Sequence, residues 1–288
     1  MKQLSNYSIE QKYDAILIDE AHTFVPSWFK CCVSALKDSE NGDLMIVADG
    51  NQSLYQRSKF IWKSVGIKAV GRRTISKIFD LDKNYRNTQQ ILSAASEVLK
   101  PINDRVNSSL EQQDINFPLI QPTSAVRQGE IPQLHLASNS ENQDKSIVKT
   151  IQILHKSGLN FNEIAIIYRH NTRLKSIISM MNQSDIPTYW VSKDKKSKAK
   201  YNLNLKGVRI ITCESSLGLE FKAVLLIWLE QFDDSIGKTK TDAEILARRK
   251  IYVGMTRAQE YLHLFSNKNA KIAPELINGN YFDIIDEG

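Results

Sequence analysis

Residues 15–24 read AILIDEAHTF, four apolar residues followed at once by Asp19 and Glu20. The run Ala15–Ile18 has the length and character of a short buried strand, which puts both carboxylates at its carboxyl end. In open α/β sheets, ligands bind just outside the carboxyl ends of the parallel strands. An Asp there can hold Mg²⁺, directly or through water, and the next Glu can position or deprotonate an attacking water. That is the acidic half of a nucleoside-triphosphatase site. The same decapeptide also describes a strand followed by a solvated acidic turn, so its surroundings must decide.

Working outward, Trp28–Leu36 reads as a short helix, and Asp43–Val47 is the next apolar run. It ends at Ala48-Asp49 before Gly50-Asn51, a strong turn signal. Two strands joined by a helical segment predict a right-handed βαβ unit with parallel pairing. Asp49 and Gln52 then reach the same edge as Asp19 and Glu20. Farther on, Phe79–Arg86 (FDLDKNYR) leads into a helix capped near Asn87 or Thr88. Its apolar residues Ile91, Leu92, Ala95, Val98 and Leu99 recur at helical spacing, and Pro101 is expected to end it. Residues 101–130 are polar and read as irregular.

After Pro132 a second α/β pattern begins. Strands are expected over Gln133–Ala137, Glu163–Tyr168, Thr188–Val191, Val208–Thr212 and Ala223–Leu229, with Tyr261–Phe265 as the last. Helices are expected over Ser140–Gly158, opened by a Ser140-x-x-Gln143 capping box, over Thr172–Met181 and over Asp242–Gly254. The organisation is therefore a truncated α/β unit over residues 1–78 and a more complete one over 79–288.

The 288 residues are 42% hydrophobic and 24% charged, ordinary globular values, with a net charge of +6 that permits a polyanionic partner. Cys31, Cys32 and Cys213 match no zinc spacing and no disulfide framework, so a reduced, cytoplasmic setting is expected. The N-terminus shows no signal peptide, and the longest apolar run, Ala223–Leu229, is too short to span a bilayer, so no membrane association is expected. Five lysines fall in Lys193–Lys200: Lys193, Lys195, Lys196, Lys198 and Lys200. The run reads as a solvated mobile loop, with contact to a nucleic-acid backbone as the alternative.

Five separated stretches speak together: IDEAHTF from Ile18, VADGNQSLYQR from Val47, LDKNYRNTQQIL from Leu81, IITCESSLGLEFKAV from Ile210 and RRKIYVGMTRA from Arg248. In order and content they resemble the UvrD/Rep-like helicases of superfamily I, ATP-driven motors on single-stranded DNA. The resemblance implies two RecA-like lobes, a truncated first and a compact second, with ATP and Mg²⁺ bound between them and 3′→5′ movement. By that resemblance Asp19 is the Mg²⁺ carboxylate, Glu20 activates water, and Gln52 senses the terminal phosphate. Tyr85 stacks on adenine while Arg86 meets the terminal phosphate, a task suited to a planar guanidinium fork. Glu220 links nucleotide to the DNA-facing strand, with Gly218 allowing close backbone approach. Arg257 neutralises transition-state charge, and Glu20, Gln52, Arg86 and Arg257 are expected to border one cleft. Arg248 and Arg249 are expected to be structural, pairing with acids such as Glu244.

The departures from the family pattern are specific. No G-x-x-x-x-G-K-[ST] occurs, so the phosphate-cradling loop is missing. Glu214 stands where relatives commonly carry His, Leu217 where they carry Lys, and Gln56-Arg57 replaces a Gly-aromatic-Arg-Gly pattern. The expectation is the C-terminal portion of a helicase, inactive as an ATPase by itself, with a separate N-terminal fragment carrying the loop as a candidate partner. The competing expectation is a non-enzymatic DNA- or protein-binding module derived from such a helicase. RNA is not excluded as the track.

Overall fold

A computed structural model describes residues 8–49, 52, 62–67, 83–108, 124–202, 204–232 and 239–288. Gln56-Arg57 and the start of the FDLDKNYR stretch lie outside these residues. The chain divides into two compact units, Met1–Asp82 with Ile102–Gln121, and Lys83–Pro101 with Pro122–Gly288.

In the first unit β1 (Ala15–Ile18) pairs in parallel with β2 (Asp43–Ile46), joined through α1 (Pro26–Ala35). Pro26 opens α1, where its missing N–H costs nothing and its fixed φ suits the first turn. One face of the strand pair, through Ile16, Ile18, Leu44 and Ile46, packs with Phe29, Val33, Val65 and Ile67. On the other face Leu17 and Met45, opposite one another in the register, are 74% and 57% exposed.

The second unit is built on a seven-stranded sheet whose pairings are all parallel. Its strands are β5 (Gln133–Ala137), β6 (Ile164–Tyr168), β7 (Thr188–Trp190), β8 (Val208–Thr212), β9 (Phe221–Leu226), β10 (Ala258–Asn267) and β11 (Asp283–Asp286), in the order β11-β5-β10-β9-β6-β8-β7. Every residue of β6 is buried, the continuous apolar run that a strand covered on both faces requires. Helix α3 (Ser140–Lys156) contributes Ile147, Ile151 and Leu154 at helical spacing. Helix α4 (Leu174–Gln183) adds Leu174, Ile177 and Met181 to the same core, over Ile166, Ile210 and Leu225. A parallel pair, β3 (Lys83–Thr88) with β4 (Ser124–Arg127), flanks α2 (Gln89–Ser108). Helix α6 (Lys240–Met255) packs on β9 and β10, and α7 (Ala273–Asn278) leads to β11.

Several expectations are corrected. Pro101 does not end α2, which continues to Ser108, so the ring removes a hydrogen bond without breaking the helix. Residues 101–130 are not wholly irregular, since β4 lies among them. The cap of α3 is Asn139, whose side chain accepts from Asn142 N–H at 2.8 Å, rather than Ser140, and Gln143 is buried and donates to Glu230 instead. The lysine run is not a loop throughout. Lys195–Ala199 forms a short helix, α5, capped by Asp194 accepting from Ser197 N–H at 2.7 Å. Tyr261–Phe265 is the middle of the longer β10 and does not close the sheet; the polar edge strand β11 does.

Beneath that edge, β5 and β10 bring two imidazoles together. His135 Nδ1 lies 2.7 Å from Glu287 Oε1, and His135 Nε2 lies 3.3 Å from His263 Nδ1. Glu287 also accepts from Ser146 Oγ, and the His135 ring stacks on Phe265. Donation from Nδ1 to the carboxylate leaves Nε2 of neutral His135 to accept from His263. Burial pushes the His263 imidazole down to about 3, with His135 adding to the effect. Burial also lowers His135, against the opposing pull of Glu287. Glu287 is held low by its bonds from Ser146 and His135, which outweigh the desolvation that would raise it.

The signs agree. Imidazoles neutral in the fold but protonated when unfolded contribute stability above about pH 6.5, and it is lost as pH falls toward their folded values. A carboxylate held low likewise loses its contribution on acidification. The unfolding free energy from urea titration should therefore drop between pH 7 and 5, by up to about 1.4 kcal/mol per pH unit for a fully shifted imidazole. His263→Phe should flatten that slope whatever its absolute stability, and an unchanged slope would contradict the assignment.

Candidate functional site

In the first unit the polar residues at the ends of β1 and β2 converge. Glu20 adopts φ 51° and ψ 37°, a left-handed conformation uncommon outside glycine and asparagine. It is held there locally. Asp19 Oδ1 accepts the Glu20 N–H at 2.8 Å, and the Glu20 carbonyl accepts from both the N–H and the hydroxyl of Thr23 at 2.8 Å. Buried His22 places Nε2 3.2 Å from Glu20 Oε2, while its Nδ1 accepts the Asp49 N–H at 3.3 Å. A neutral ring accepting through Nδ1 carries its proton on Nε2, facing the carboxylate. Gln52 Nε2 in turn donates to Asp49 Oδ2 at 2.7 Å. Polar contacts thus run from Glu20 through His22 and Asp49 to Gln52. Asp49 is an integral member, and His22, quoted in the opening decapeptide, is a participant that residue type alone did not single out.

Among the described residues no three His, Cys, Asp or Glu side chains stand together as a self-sufficient metal cage. Mg²⁺ does not need one: it takes one or two carboxylates and fills its remaining positions with water and phosphate oxygens. Asp19 fits such a partial set, because its Oδ2 is not used by the Glu20 N–H.

In the second unit the candidates collect at the amino-terminal edge of the sheet. Glu220 immediately precedes β9 and Arg257 immediately precedes β10; the Phe221 N–H donates to the Arg257 carbonyl at 3.0 Å. Arg86, on β3, places Nε 2.5 Å from Glu220 Oε1, an ion pair without the alignment of a straight hydrogen bond. Glu220 Oε2 accepts from Gln259 Nε2 at 2.9 Å. The backbone is fixed by Asn87, whose buried amide donates to Thr256 O at 3.0 Å and Ala258 O at 2.6 Å, the carbonyls on either side of Arg257. Asn84 accepts the N–H groups of Arg86 and Asn87, and Arg127 donates to the Arg86 carbonyl while pairing with Glu260. Tyr85, 69% exposed, has its ring open to solvent.

Arg257 does not project. It is 1% exposed, and its guanidinium donates to Val253 O at 3.1 Å and Thr256 Oγ1 at 3.3 Å. That places the cation at the carboxyl end of α6, where the helix dipole favours it. Gly218 has a conformational need for glycine within the chain itself. Its φ is +75°, a conformation that L side chains rarely adopt, and a Cβ built there would meet no protein atom within 4 Å. Glu214 bridges Arg169 at 2.9 Å and the buried Lys250 at 3.3 Å, tying the β8–β9 connection to β6 and α6. Arg248 is structural as expected, bonded to Glu244, to both oxygens of Glu275 and to the Val98 carbonyl. The side chains of Lys193, Lys195, Lys196, Lys198 and Lys200 are all exposed.

Residues 79–196 and 207–265 match two models described as UvrD-like helicase C-terminal domain. The chain is similar to a probable DNA helicase of Mycoplasma pneumoniae, 26% identical over 229 residues that cover 78% of this chain and 38% of that protein. It is also similar to the mitochondrial ATP-dependent DNA helicase HMI1 of Saccharomyces cerevisiae, 27% identical over 62% of this chain and 25% of that protein. DNA helicase II of Escherichia coli is 24% identical over 62% of this chain and 22% of its own length. The chain thus spans 38% or less of each of these relatives. Among solved structures, the C-terminal domain of a possible DNA helicase from Lactobacillus plantarum aligns with a TM-score of 0.47 and 17% identity, over 71% of this chain and 99% of that one.

The Asn87 amide yields a direct test of the rim. Asn87→Ala strands two buried carbonyls, and each buried polar group left unpaired costs about 1–3 kcal/mol. Urea unfolding should show a loss of at least that size, whereas exposed Tyr85→Ala should leave the midpoint nearly unchanged.

Proposed function

Because residues 79–196 and 207–265 place the chain among the UvrD-like helicases through their C-terminal domain, we propose that it is the C-terminal part of an ATP-dependent DNA helicase. In this reading it belongs to a motor that couples ATP hydrolysis to 3′→5′ movement on single-stranded DNA. The observation that carries the reading is the rim formed by Arg86, Glu220 and Gln259 beside the Arg257 backbone, at the amino ends of β9 and β10.

The chemistry is phosphoryl transfer to water, where catalysis is positioning and charge stabilisation. Glu20, directed by His22, serves as the base that takes a proton from the attacking water. Gln52, anchored on Asp49, orients that water and responds to the terminal phosphate. Asp19 would hold Mg²⁺, which would supply charge neutralisation at the phosphates. Arg86 receives the terminal phosphate, and Tyr85 offers its exposed ring to the adenine. Arg257 serves this scheme as a further cation once it gives up its contacts at the end of α6. The phosphate-cradling loop, absent from these residues, is proposed to come from another part of the motor.

The buried state of Arg257 favours one other reading, a non-enzymatic DNA-binding module. The experiment that separates the two is ATP hydrolysis by the purified chain with oligo-dT, alone and with an added polypeptide carrying the phosphate loop. The chain alone should show no DNA-stimulated turnover. With the loop supplied, turnover should appear and be abolished by Glu20→Gln. Arg257→Ala should then lower it steeply, since cations in this role can be worth about 10³–10⁵ in rate. Salt-sensitive DNA binding without turnover in any combination identifies the module.

The exposed lysines give a second expected outcome. Phosphate contacts release counterions, so single-strand binding should weaken steeply with salt. Replacing all five lysines of Lys193–Lys200 with Ser should reduce affinity for a labelled oligonucleotide at low salt. Equal binding would return the run to a solvated surface.

A further inference from the structure

We propose that Glu220 is a built-in counter-anion for Arg86, so that a polyphosphate entering this site must displace a carboxylate already in place. The inference rests on the nucleotide-binding reading above and adds a gate to it. The two side chains are 2.5 Å apart, yet 37% of the Arg86 side chain and 33% of the Glu220 side chain remain exposed. Arg86 Nε itself is buried, so a solute reaches the pair through the exposed remainder of the two side chains, and a partly exposed ion pair is weak enough to be exchanged. A guanidinium prefers a phosphate when one is available, because its fork meets two oxygens of a multiply charged anion.

The supports on the two partners differ in a way that favours exchange. The Arg86 backbone is fixed from three sides, through Asn84, through Asn87 at the next position, and through Arg127 on its carbonyl. Its side chain, in contrast, meets Glu220 without an aligned N–H···O bond. Glu220 is retained independently by Gln259, so losing Arg86 does not leave the carboxylate without a partner. Displacement therefore exchanges one acceptor for another on Arg86 while Glu220 keeps its anchor on β10. With its charge removed at position 220, the rim becomes more cationic and the competing anion disappears.

The test uses the full chain and inorganic tripolyphosphate, which carries the charge of the nucleotide without base or sugar, alongside ATP. Binding is followed by calorimetry at low salt for the parent, Glu220→Gln, Arg86→Gln and the double variant, with circular dichroism and thermal midpoints confirming folding. The amide of Glu220→Gln can still bond Gln259, so the variant isolates the charge. Tripolyphosphate should bind Glu220→Gln up to about fivefold more tightly than the parent, the worth of an exposed ion pair. Arg86→Gln should weaken binding, and the double variant should show no gain over Arg86→Gln alone.

Equal or weaker tripolyphosphate binding by Glu220→Gln overturns the gate. If it does so while both proteins prefer ATP to tripolyphosphate, the nucleotide reading stands without it. A gain for tripolyphosphate with no preference for ATP sustains the gate and removes the nucleotide reading. Failure of every protein to bind either anion overturns both.

Discussion

The sheet of the second unit is covered on both faces, and that constraint governs where chemistry can appear. A strand such as Ile164–Tyr168, buried at every position, has no side available for a charge. Polar side chains within the strands, such as His135, His263 and Arg209, are buried with partners of their own, and the candidates for chemistry lie at the strand ends. At the amino end the single hydrogen bond from Phe221 N–H to the Arg257 carbonyl holds the starts of β9 and β10 level. Glu220 and Arg257 thereby become neighbours although they are 37 positions apart in the chain. The first unit offers its candidates at the carboxyl ends of its strands, so the acidic and basic halves of the proposed chemistry come from opposite kinds of sheet edge.

Buried and half-buried cations show what that covering costs and how it is offset. Arg209 is fully buried, yet it donates to the Gly207 carbonyl at 2.9 Å and to that of Leu205, and lies over the rings of Tyr189 and Tyr201. Lys250 is met by Glu214. Arg173 is bonded to Asp144 and Gln143 and placed 4.9 Å from the Trp228 ring centroid, while Asp144 also accepts from the indole N–H. Each charge has acceptors in place, which is the condition for keeping it out of water. Glu214 is informative here, because at a position where the family pattern has an imidazole this chain bridges two cations.

Much of the architecture was legible because apolar runs of strand length are hard to disguise. The cores of β1, β2, β6, β8 and β9 stand out in the sequence, and the motifs drew attention to Arg86, Glu220 and Arg257. The supports of those residues were not legible. Asn87, Gln259 and His22 act through single hydrogen bonds to particular partners, and nothing in their residue type or spacing names the partner. The edge strand β11 escaped because only one flank needs pairing, so Asp283–Asp286 carries too little apolar character to signal a strand. Asn139 and Ser140 are equally good caps on paper, and only the backbone chooses between them. Pro101 failed as a stop because losing one hydrogen bond does not outweigh the packing of Val98 and Leu99 in the same helix.

The bare side of the β1–β2 pair bears on how the molecule must be handled. Parallel strands are ordinarily shielded above and below, yet Leu17 and Met45 lie side by side and exposed. An uncovered apolar strip on a two-stranded ribbon is a nucleus for self-association, since another chain can gain both apolar contact and strand pairing there. Lysine at position 17 or 45 would put a charge on that face while Asp19 and Asp49 stay beyond the ends of the two strands.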